Sequence, residues 1–327
     1  MFKNLKIAAV IPCYRVADQI LNLIRTIPPE VDRIYCVDDA CPAGSGKLVM
    51  ERCADPRISV LFNERNLGVG GAVKAGYVAA RADDCDIAVK LDGDGQMDPR
   101  LIPAFLLPIA LGQADYTKGN RFFHIEDVNA MPVSRLLGNA ALTFLAKFST
   151  GYWNVADPTN GYTAAHLGVL DLASLEKVSN GYFFETDLLF RLNIARCVVR
   201  DIPMTARYGT ERSSLRIQNV LWQFLAGHIR NFVKRILYGY FLRDFNIASA
   251  QILLGVPLLA AGFAFGIYHW RLSIMTGTPA TAGTVMIAAL MILTGIQFCL
   301  GALNYDITSV PKEPLHPLLQ KPSHEER

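Results

Sequence analysis

The chain lacks most of the signatures that would settle its chemistry at a glance. Its seven cysteines, at 13, 36, 41, 53, 85, 197 and 299, are odd in number and scattered, with no C-x-x-C pair. That argues against a zinc ribbon or a disulfide framework and for free thiols in a reducing compartment. There is no G-K-[ST], so no P-loop. The glycine-rich stretch NERNLGVGGAVKAGY, 63–77, is not a dinucleotide G-x-G-x-x-G either, because Val73 stands where the third glycine would be. Charge is sparse, 19% of residues with a net of +3, which is too little to point to nucleic acid as a partner. No internal repeat or low-complexity tract is visible. The N-terminal MFKNLKIAAVIPCY has two lysines and a short apolar run but no small-x-small cleavage site, so it reads as a first buried strand rather than a signal peptide.

What is present is unevenly distributed. Up to about Arg243 charged and apolar residues alternate as in a soluble domain, whereas 247–268 and 284–303 contain no charged residue. As helices, each of these two runs would reach ~30 Å, the thickness of a bilayer core. Arg230, Lys234, Arg235 and Arg243 precede the first run, Lys312, Lys321 and Arg327 follow the second, and the connection 269–283 carries only Arg271. By the positive-inside rule this predicts a helical hairpin with both chain ends on the cytoplasmic side of the cytoplasmic membrane.

The first hundred residues alternate between two periodicities. KIAAVIPCY, RIYCVDDA, ISVLFNE and DIAVKLD read as strands, and 17–26, 47–53 and 70–81 as helices between them. Such alternation predicts an α/β domain with a mostly parallel sheet, in which ligands bind at the carboxyl ends of strands. Those ends carry Pro12-Cys13-Tyr14, Asp38-Asp39, Asn63-Glu64 and Asp92-Gly93-Asp94, so the site is expected at that edge. In the glycine-rich stretch, Gly68, Gly70, Gly71 and Gly76 serve either close backbone approach to a phosphate or tight helix–sheet packing.

The segment DGDGQMDP fails as an EF-hand, since Met97 and Pro103 would occupy loop positions 6 and 12. It leaves Asp92 and Asp94 two residues apart at the end of an apolar strand, able to point to one side. Carboxylates that close repel one another unless a cation lies between them, and oxygen donors favour Mg²⁺ or Mn²⁺. Asp98, followed by Pro99, reads as a helix cap.

Taken in order, VIPCY, CVDDA, N-x-G-x-G-G-A and DGDGQ-x-DP resemble the family 2 inverting glycosyltransferases of the GT-A fold, in particular their dolichyl- and polyprenyl-phosphate branch. The likeness covers about residues 5–215, and the C-terminal hairpin is similar to that of bacterial membrane members. The resemblance implies that Pro12, Tyr14, Asp38, Asp39, Gly68 and Gly71 hold the nucleotide of a nucleotide sugar. It implies that Asp92, Asp94 and Gln96 bind Mg²⁺ or Mn²⁺ and the diphosphate. Arg121 in KGNRF and Arg135, fourteen residues on, inherit the acceptor phosphate, with Asn139 standing where relatives have a small hydroxyl residue. DPTNGYTA nominates Asp157, Asn160 and Gly161 near the sugar, and GYFFETDLL nominates Glu185 and Asp187 on the acceptor side. RYGTERSSL nominates Arg207 for the diphosphate, with Arg212 standing in for a lysine that Ser214 replaces.

From these readings, 1–213 is expected to be the GT-A catalytic domain, 214–245 amphipathic juxtamembrane helix, 246–304 the hairpin and 305–327 a loose cytoplasmic tail. In 214–245, Leu221, Leu225, Phe232, Ile236 and Tyr240 share a helical face, with Arg216, Arg230, Lys234, Arg235 and Arg243 mostly off it. That pattern reads as a helix lying in the membrane interface, or packing on the soluble domain, or both. Gly262 and Gly266 would allow close contact between the spans. The expected activity is transfer of a sugar from a nucleotide sugar, UDP-linked, to a polyprenyl phosphate, with membrane lipid as a further partner and a homo-oligomer compatible with the sequence. The alternatives are transfer to a lipid or glycan hydroxyl, or a non-catalytic nucleotide-binding membrane protein. A processive polysaccharide synthase is disfavoured by the absence of Q-x-x-R-W.

Overall fold

The structure, a computed structural model, describes residues 2–123, 133–205 and 217–319. The chain divides into two compact units, Met1–Val233 with Pro311–Arg327, and Lys234–Val310.

The first unit opens on four strands and three helices at the places the periodicity predicts: β1 (Ile7–Cys13), α1 (Ala17–Arg25), β2 (Arg33–Asp38), α2 (Ser45–Arg52), β3 (Ile58–Phe62), α3 (Val69–Ala82) and β4 (Ile87–Lys90). There follow α4 (Ile102–Ala110), β5 (Tyr116–Asn120), α5 (Val133–Thr150), β6 (Thr163–His166), α6 (Leu167–Leu172), α7 (Phe184–Ile194), β7 (Val199–Pro203) and α8 (Ile217–Leu237). The strands form one seven-stranded sheet in the order β3-β2-β1-β4-β6-β5-β7. β1 pairs in parallel with β2 and β4, whereas β6 runs antiparallel to both β4 and β5. That reversal matters for the site. It brings the beginning of β6 to the same edge as the ends of β1, β2, β4 and β5.

β1 is buried almost throughout, as expected of an apolar strand covered on both faces. α1 turns Ile20, Leu23 and Ile24 into the core. Asp98 caps the turn before α4 as predicted, its carboxylate accepting the Arg100 N–H at 3.1 Å with Pro99 at the first position. Behind that turn Phe105 stacks on Tyr162, ring centroids 4.0 Å apart.

Two expectations about the C-terminal part need correcting. As far as residue 319, where the described residues end, the segment after residue 305 is not a loose tail. Residues from Pro311 belong to the first unit, where the N–H groups of Leu315 and His316 both donate to the Asp115 carboxylate at 2.8 Å and His316 Nδ1 lies 2.9 Å from it. Burial alone would raise the Asp115 carboxyl. The bonds from His316, Val198 and Leu315 more than offset it and hold the group below its usual range. His316 also stacks on His166 at 4.6 Å. The second concerns Arg235, which the sequence puts among the basic residues mostly off the apolar face of 214–245. It is buried within the second unit, donating to both oxygens of Asp306 at 2.5 and 3.0 Å, and Tyr240 donates to the same carboxylate.

The second unit contains two long helices, α9 (Ile247–Thr276) and α10 (Ala282–Thr308), each longer than the charge-free run that predicted it. Both are long and apolar enough to cross a membrane, with mean hydropathy 1.9 and 2.1. Leu253, Leu254, Phe263, Leu290 and Leu293 point outward, unlike the apolar side chains of a core helix. The helices pack closely where glycine faces the partner. A Cβ at Gly262 would come within 2.9 Å of Ile292, and one at Gly295 within 2.8 Å of Leu259. Gly266 makes only ordinary contact with Ala288, so the close approach runs through Gly262, Gly255 and Gly295 instead.

Candidate active site

At the predicted edge of the sheet lies a cavity of about 770 Å³, within the usual range for small-molecule sites of roughly 300–1,000 Å³. The ends of β1, β2 and β4 contribute Pro12, Tyr14, Asp39, Lys90, Asp92 and Asp94, the start of β6 contributes Gly161, and α7 contributes Glu185. The lining also includes apolar side chains, among them Leu142 of α5, Tyr182 and Phe224 of α8.

The acidic hook is shaped by its glycines. Gly95 has φ +75°, a conformation that suits a residue without Cβ, and the turn it makes lets Gln96 N–H donate to Asp94 Oδ1 at 3.0 Å. A Cβ at Gly93 would press on Val16 and the Pro12 carbonyl at 3.0 and 3.1 Å. Asp92 is one-third exposed and paired at 2.7 Å with the Lys90 ammonium, which also lies 3.0 Å from Glu185 Oε1. Lys90 is itself buried. Burial would depress its pKa, but Asp92 and Glu185 overcome that penalty and hold it above the ordinary lysine value. Among the described residues no group of three or more His, Cys, Asp or Glu side chains is arranged to hold a metal. Asp92 and Asp94 nevertheless fit Mg²⁺ or Mn²⁺ as a partial shell of hard carboxylate oxygens, of the kind that substrate phosphates complete.

The Asp38-Asp39 pair divides its work. Asp38 accepts from the backbone N–H groups of Cys41 and Gly46, both at 2.7 Å, and so closes the loop into α2. It is buried and does not line the cavity. Asp39 does line it, and accepts from Asn63, Leu67 and Gly68 at 2.8–2.9 Å. The third strand end thus reaches the site through Asn63 holding Asp39. The glycines divide likewise. Gly68, at φ +85°, lines the cavity, whereas Gly70, Gly71 and Gly76 pack against Phe184, Leu67 and Val10.

β5 delivers Arg121 to the same edge. Its guanidinium forks onto the fully buried Asp157, Nε to Oδ2 at 2.7 Å and Nη2 to Oδ1 at 3.0 Å. Asn160 donates weakly to Asp157 at 3.4 Å and accepts from Tyr162 N–H. Beneath this pair sits a second buried lysine, Lys118, donating to the Asn160 carbonyl. Burial brings its pKa down to about 8, and pushes the neighbouring Asp201 carboxyl up to about 6.

The remaining nominated residues fall elsewhere. Asp187 does not face the cavity. It accepts from Ser179 N–H at 2.8 Å and from Asn231 of α8 at 2.9 Å, tying α8 to α7. Asn139 is half-buried on α5 and does not line the cavity, and Gln96 is likewise outside the lining. Arg207, Arg212 and Ser214 lie outside the described residues, as does the side chain of Arg135.

Residues that the sequence reading passed over are Lys90, Arg15, Thr159, Tyr182, Leu142 and Phe224. Lys90 had a usable signal. A lysine in an otherwise apolar buried strand requires an acidic partner. The rest come from loops and helices whose register the motifs do not fix.

A sheet of this order, with two carboxylates at the turn after β4 and a cavity above it, is the GT-A architecture of nucleotide-sugar glycosyltransferases. The chain belongs to glycosyl transferase family 2, whose sequence profile matches residues 8–173. Among its relatives is the undecaprenyl-phosphate mannosyltransferase of Micrococcus luteus, 30% identical over 206 residues, which are 62% of this chain and 83% of the relative. Another is the UDP-N-acetylglucosamine–dolichyl-phosphate N-acetylglucosaminyltransferase of Methanococcus voltae, 27% identical over 66% of this chain and 90% of that protein. Glucosyl-3-phosphoglycerate synthase of Mycobacterium tuberculosis, crystallised with Mg²⁺ and UDP, shares the fold with a TM-score of 0.55 and 19% identity, over 70% of this chain and 80% of the other.

Proposed function

We propose that this glycosyltransferase moves a sugar from a nucleotide sugar, UDP-linked, to a polyprenyl phosphate at the cytoplasmic face of the membrane, with inversion and with Mg²⁺ or Mn²⁺. The observation that carries this reading is the mixed lining of the cavity. Acidic and polar groups at the sheet edge suit an activated sugar, and Leu142, Tyr182 and Phe224 in the same lining suit a lipid-linked acceptor. Two relatives named for transfer to undecaprenyl and dolichyl phosphate support the acceptor class.

The acceptor phosphate is its own nucleophile. Its second pKa is near ~6, so at neutral pH it is largely a dianion and needs no strong base. One of its oxygens bonds to the anomeric carbon as the bond to the nucleoside diphosphate breaks on the opposite face. Arg135 holds that phosphate with a planar donor fork, and Arg121, which forks onto Asp157 here and does not line the cavity, would join it by turning from that carboxylate. Arg207 and Arg212 cover the departing diphosphate. Asp92, Asp94 and Gln96 would hold the metal, whose charge offsets the negative charge gathering on the leaving diphosphate. Transfer to a hydroxyl would instead require a general base. Glu185, a carboxylate of the cavity lining nominated on the acceptor side, is held by the Lys90 ammonium, which favours the phosphate acceptor.

α8 supports attachment at the bilayer surface. Within the first unit its buried side presents Gly227, His228 and Asn231, while Trp222, Ile229, Phe232 and Val233 are exposed. An apolar face turned outward and a polar one turned inward suits a helix lying among lipid headgroups. Two spans joined by a short connection would return the chain to the side it left, and the lysine and arginine distribution supports the cytoplasmic side for both ends.

The test is a donor screen with the full-length protein in detergent, undecaprenyl phosphate as acceptor and mass spectrometry of the lipid. A sugar-phosphate-lipid product is expected, lost on chelation and in Asp94→Ala. Normal transfer by Asp94→Ala under chelation would sink the metal mechanism, and tight nucleotide binding without turnover of any donor would favour a non-catalytic role.

A further inference from the structure

Lys90 is a charge placed where a metal-binding edge would seem least to need one. Its ammonium lies 2.7 Å from Asp92 Oδ1 and 3.0 Å from Glu185 Oε1, and it lines the cavity beside Asp94. The arrangement is built rather than incidental. Lys90 is 1% exposed, fixed in the last position of β4, and Glu185 reaches it from the first turn of α7, ninety-five residues away. Gly161 leaves the room: a Cβ there would meet the Lys90 ammonium and come within 2.7 Å of Asp92 Oδ2. Three elements, β4, the start of β6 and α7, therefore cooperate to keep one positive charge against the hook.

We infer that Lys90 is a fixed counter-charge that weakens binding of a bare divalent cation by Asp92 and Asp94, so that the cation enters together with a nucleoside diphosphate. Glu185 sets the strength of this counter-charge by sharing the ammonium. The physical basis is Coulombic: an ammonium and a divalent cation contending for one carboxylate repel across a few ångströms of partly desolvated space, where screening by water is weak. A diphosphate brings negative oxygens of its own and removes the need for Asp92 to carry the cation alone. Lys90 is thus a positioning residue for Asp92, and the inference rests on the metal-dependent reading given above.

The test is Mn²⁺ binding to the full-length protein, followed by electron paramagnetic resonance, first with Mn²⁺ alone and then with UDP or GDP. Lys90→Met removes the positive charge at similar length, and nucleotide-free Mn²⁺ should bind about tenfold more tightly or better. Glu185→Gln leaves the ammonium wholly to Asp92, and the same binding should weaken. The double variant should bind nucleotide-free Mn²⁺ as Lys90→Met does, because Glu185 acts through the ammonium; independent, additive effects of the two substitutions would count against that link. Far-UV circular dichroism and thermal unfolding establish that each variant is folded, and Lys90→Arg, which keeps the charge, replaces Lys90→Met as the comparison should the latter not fold: its affinity should stay near wild type. Unchanged nucleotide-free affinity in Lys90→Met and Glu185→Gln, with Mn²⁺ still binding in the presence of nucleotide, would overturn the counter-charge alone. Absence of Mn²⁺ binding in every variant even with nucleotide would overturn the metal-dependent reading as well.

Discussion

Arg121 and Asp157 allow a structural role to be separated from a chemical one. Asp157 is completely buried and, among the described residues, is paired with the Arg121 fork at 2.7 and 3.0 Å. Arg121→Met would leave a carboxylate in the interior beside Thr159, Asn160 and a long contact to the residue 121 N–H. Removing one partner of a buried pair costs about 3–5 kcal/mol, because the survivor stays desolvated and unpaired. For a domain of this size that corresponds to a fall in melting temperature of about 10 °C. Pairing Arg121→Met with Asp157→Asn removes the stranded charge and should restore at least about 2 kcal/mol. The assay is thermal unfolding of the three variants beside wild type, together with sugar transfer to undecaprenyl phosphate. A loss below about 1 kcal/mol in Arg121→Met, the range of exposed pairs, would mean that the fork is not the stable arrangement. The double variant then decides the second question. If it is folded but inactive while Asp157→Asn alone transfers sugar, Arg121 also serves the acceptor phosphate; if it transfers sugar normally, the role proposed for Arg121 is wrong.

Other consequences follow from single contacts. Asp115→Ala should cost about 3 kcal/mol, since it strips partners from Val198, Leu315 and His316 together, and should expose the chain after Pro311 to limited proteolysis. Gly161→Ala should lower transfer more than tenfold with a stability loss of about 1–3 kcal/mol, by driving the new methyl group against Lys90 and Asp92; unchanged turnover would show that the two side chains have room to move. Burial lowers the pKa of His228 to about 4, so its native form is neutral, and the stability it contributes is complete above pH 6.5 and is lost as pH falls towards 4. The loss attributable to His228 between pH 7 and pH 5 should be about 2 kcal/mol. His166 acts in the same sense and Asp201, with its raised pKa, in the opposite one. The effect is therefore read as the difference between wild type and His228→Gln in melts at the two pH values, and equal slopes would refute it.

The parts of this protein legible in its sequence are those set by local chemistry. β1 to β4 announce themselves as short apolar runs ending in polar residues, and the Asp98-Pro99 cap needs only two adjacent residues. The hook at Asp92 and Asp94 is similarly local. What the sequence concealed depends on long-range pairing. Nothing near Lys90 reveals that Glu185 will share it, and Asp187, in the same first turn of α7, leaves the site because two residues along a helix turn the side chain through about 200°. Asp38 looks identical to Asp39 until the loop into α2 takes both its oxygens. Periodicity located α8 but not the sense of its amphipathicity, which is reversed with respect to the catalytic unit: His228 meets Ser149 at 2.7 Å inside while Trp222 stands outside.

The contact between Asp115 and His316 spans 201 residues of chain, and this separation bears on how the protein is made. Residue 115 leaves the ribosome with its strand, but the groups that complete its hydrogen bonding are synthesised only after both apolar helices. Until then the Asp115 carboxylate has the Val198 N–H as its earlier partner and lacks those of Leu315 and His316. Contacts this distant in sequence are late and slow to form. The catalytic unit is therefore finished last, after both apolar helices have been synthesised. If those helices cross the membrane as proposed, the enzyme would acquire its complete fold only at the bilayer.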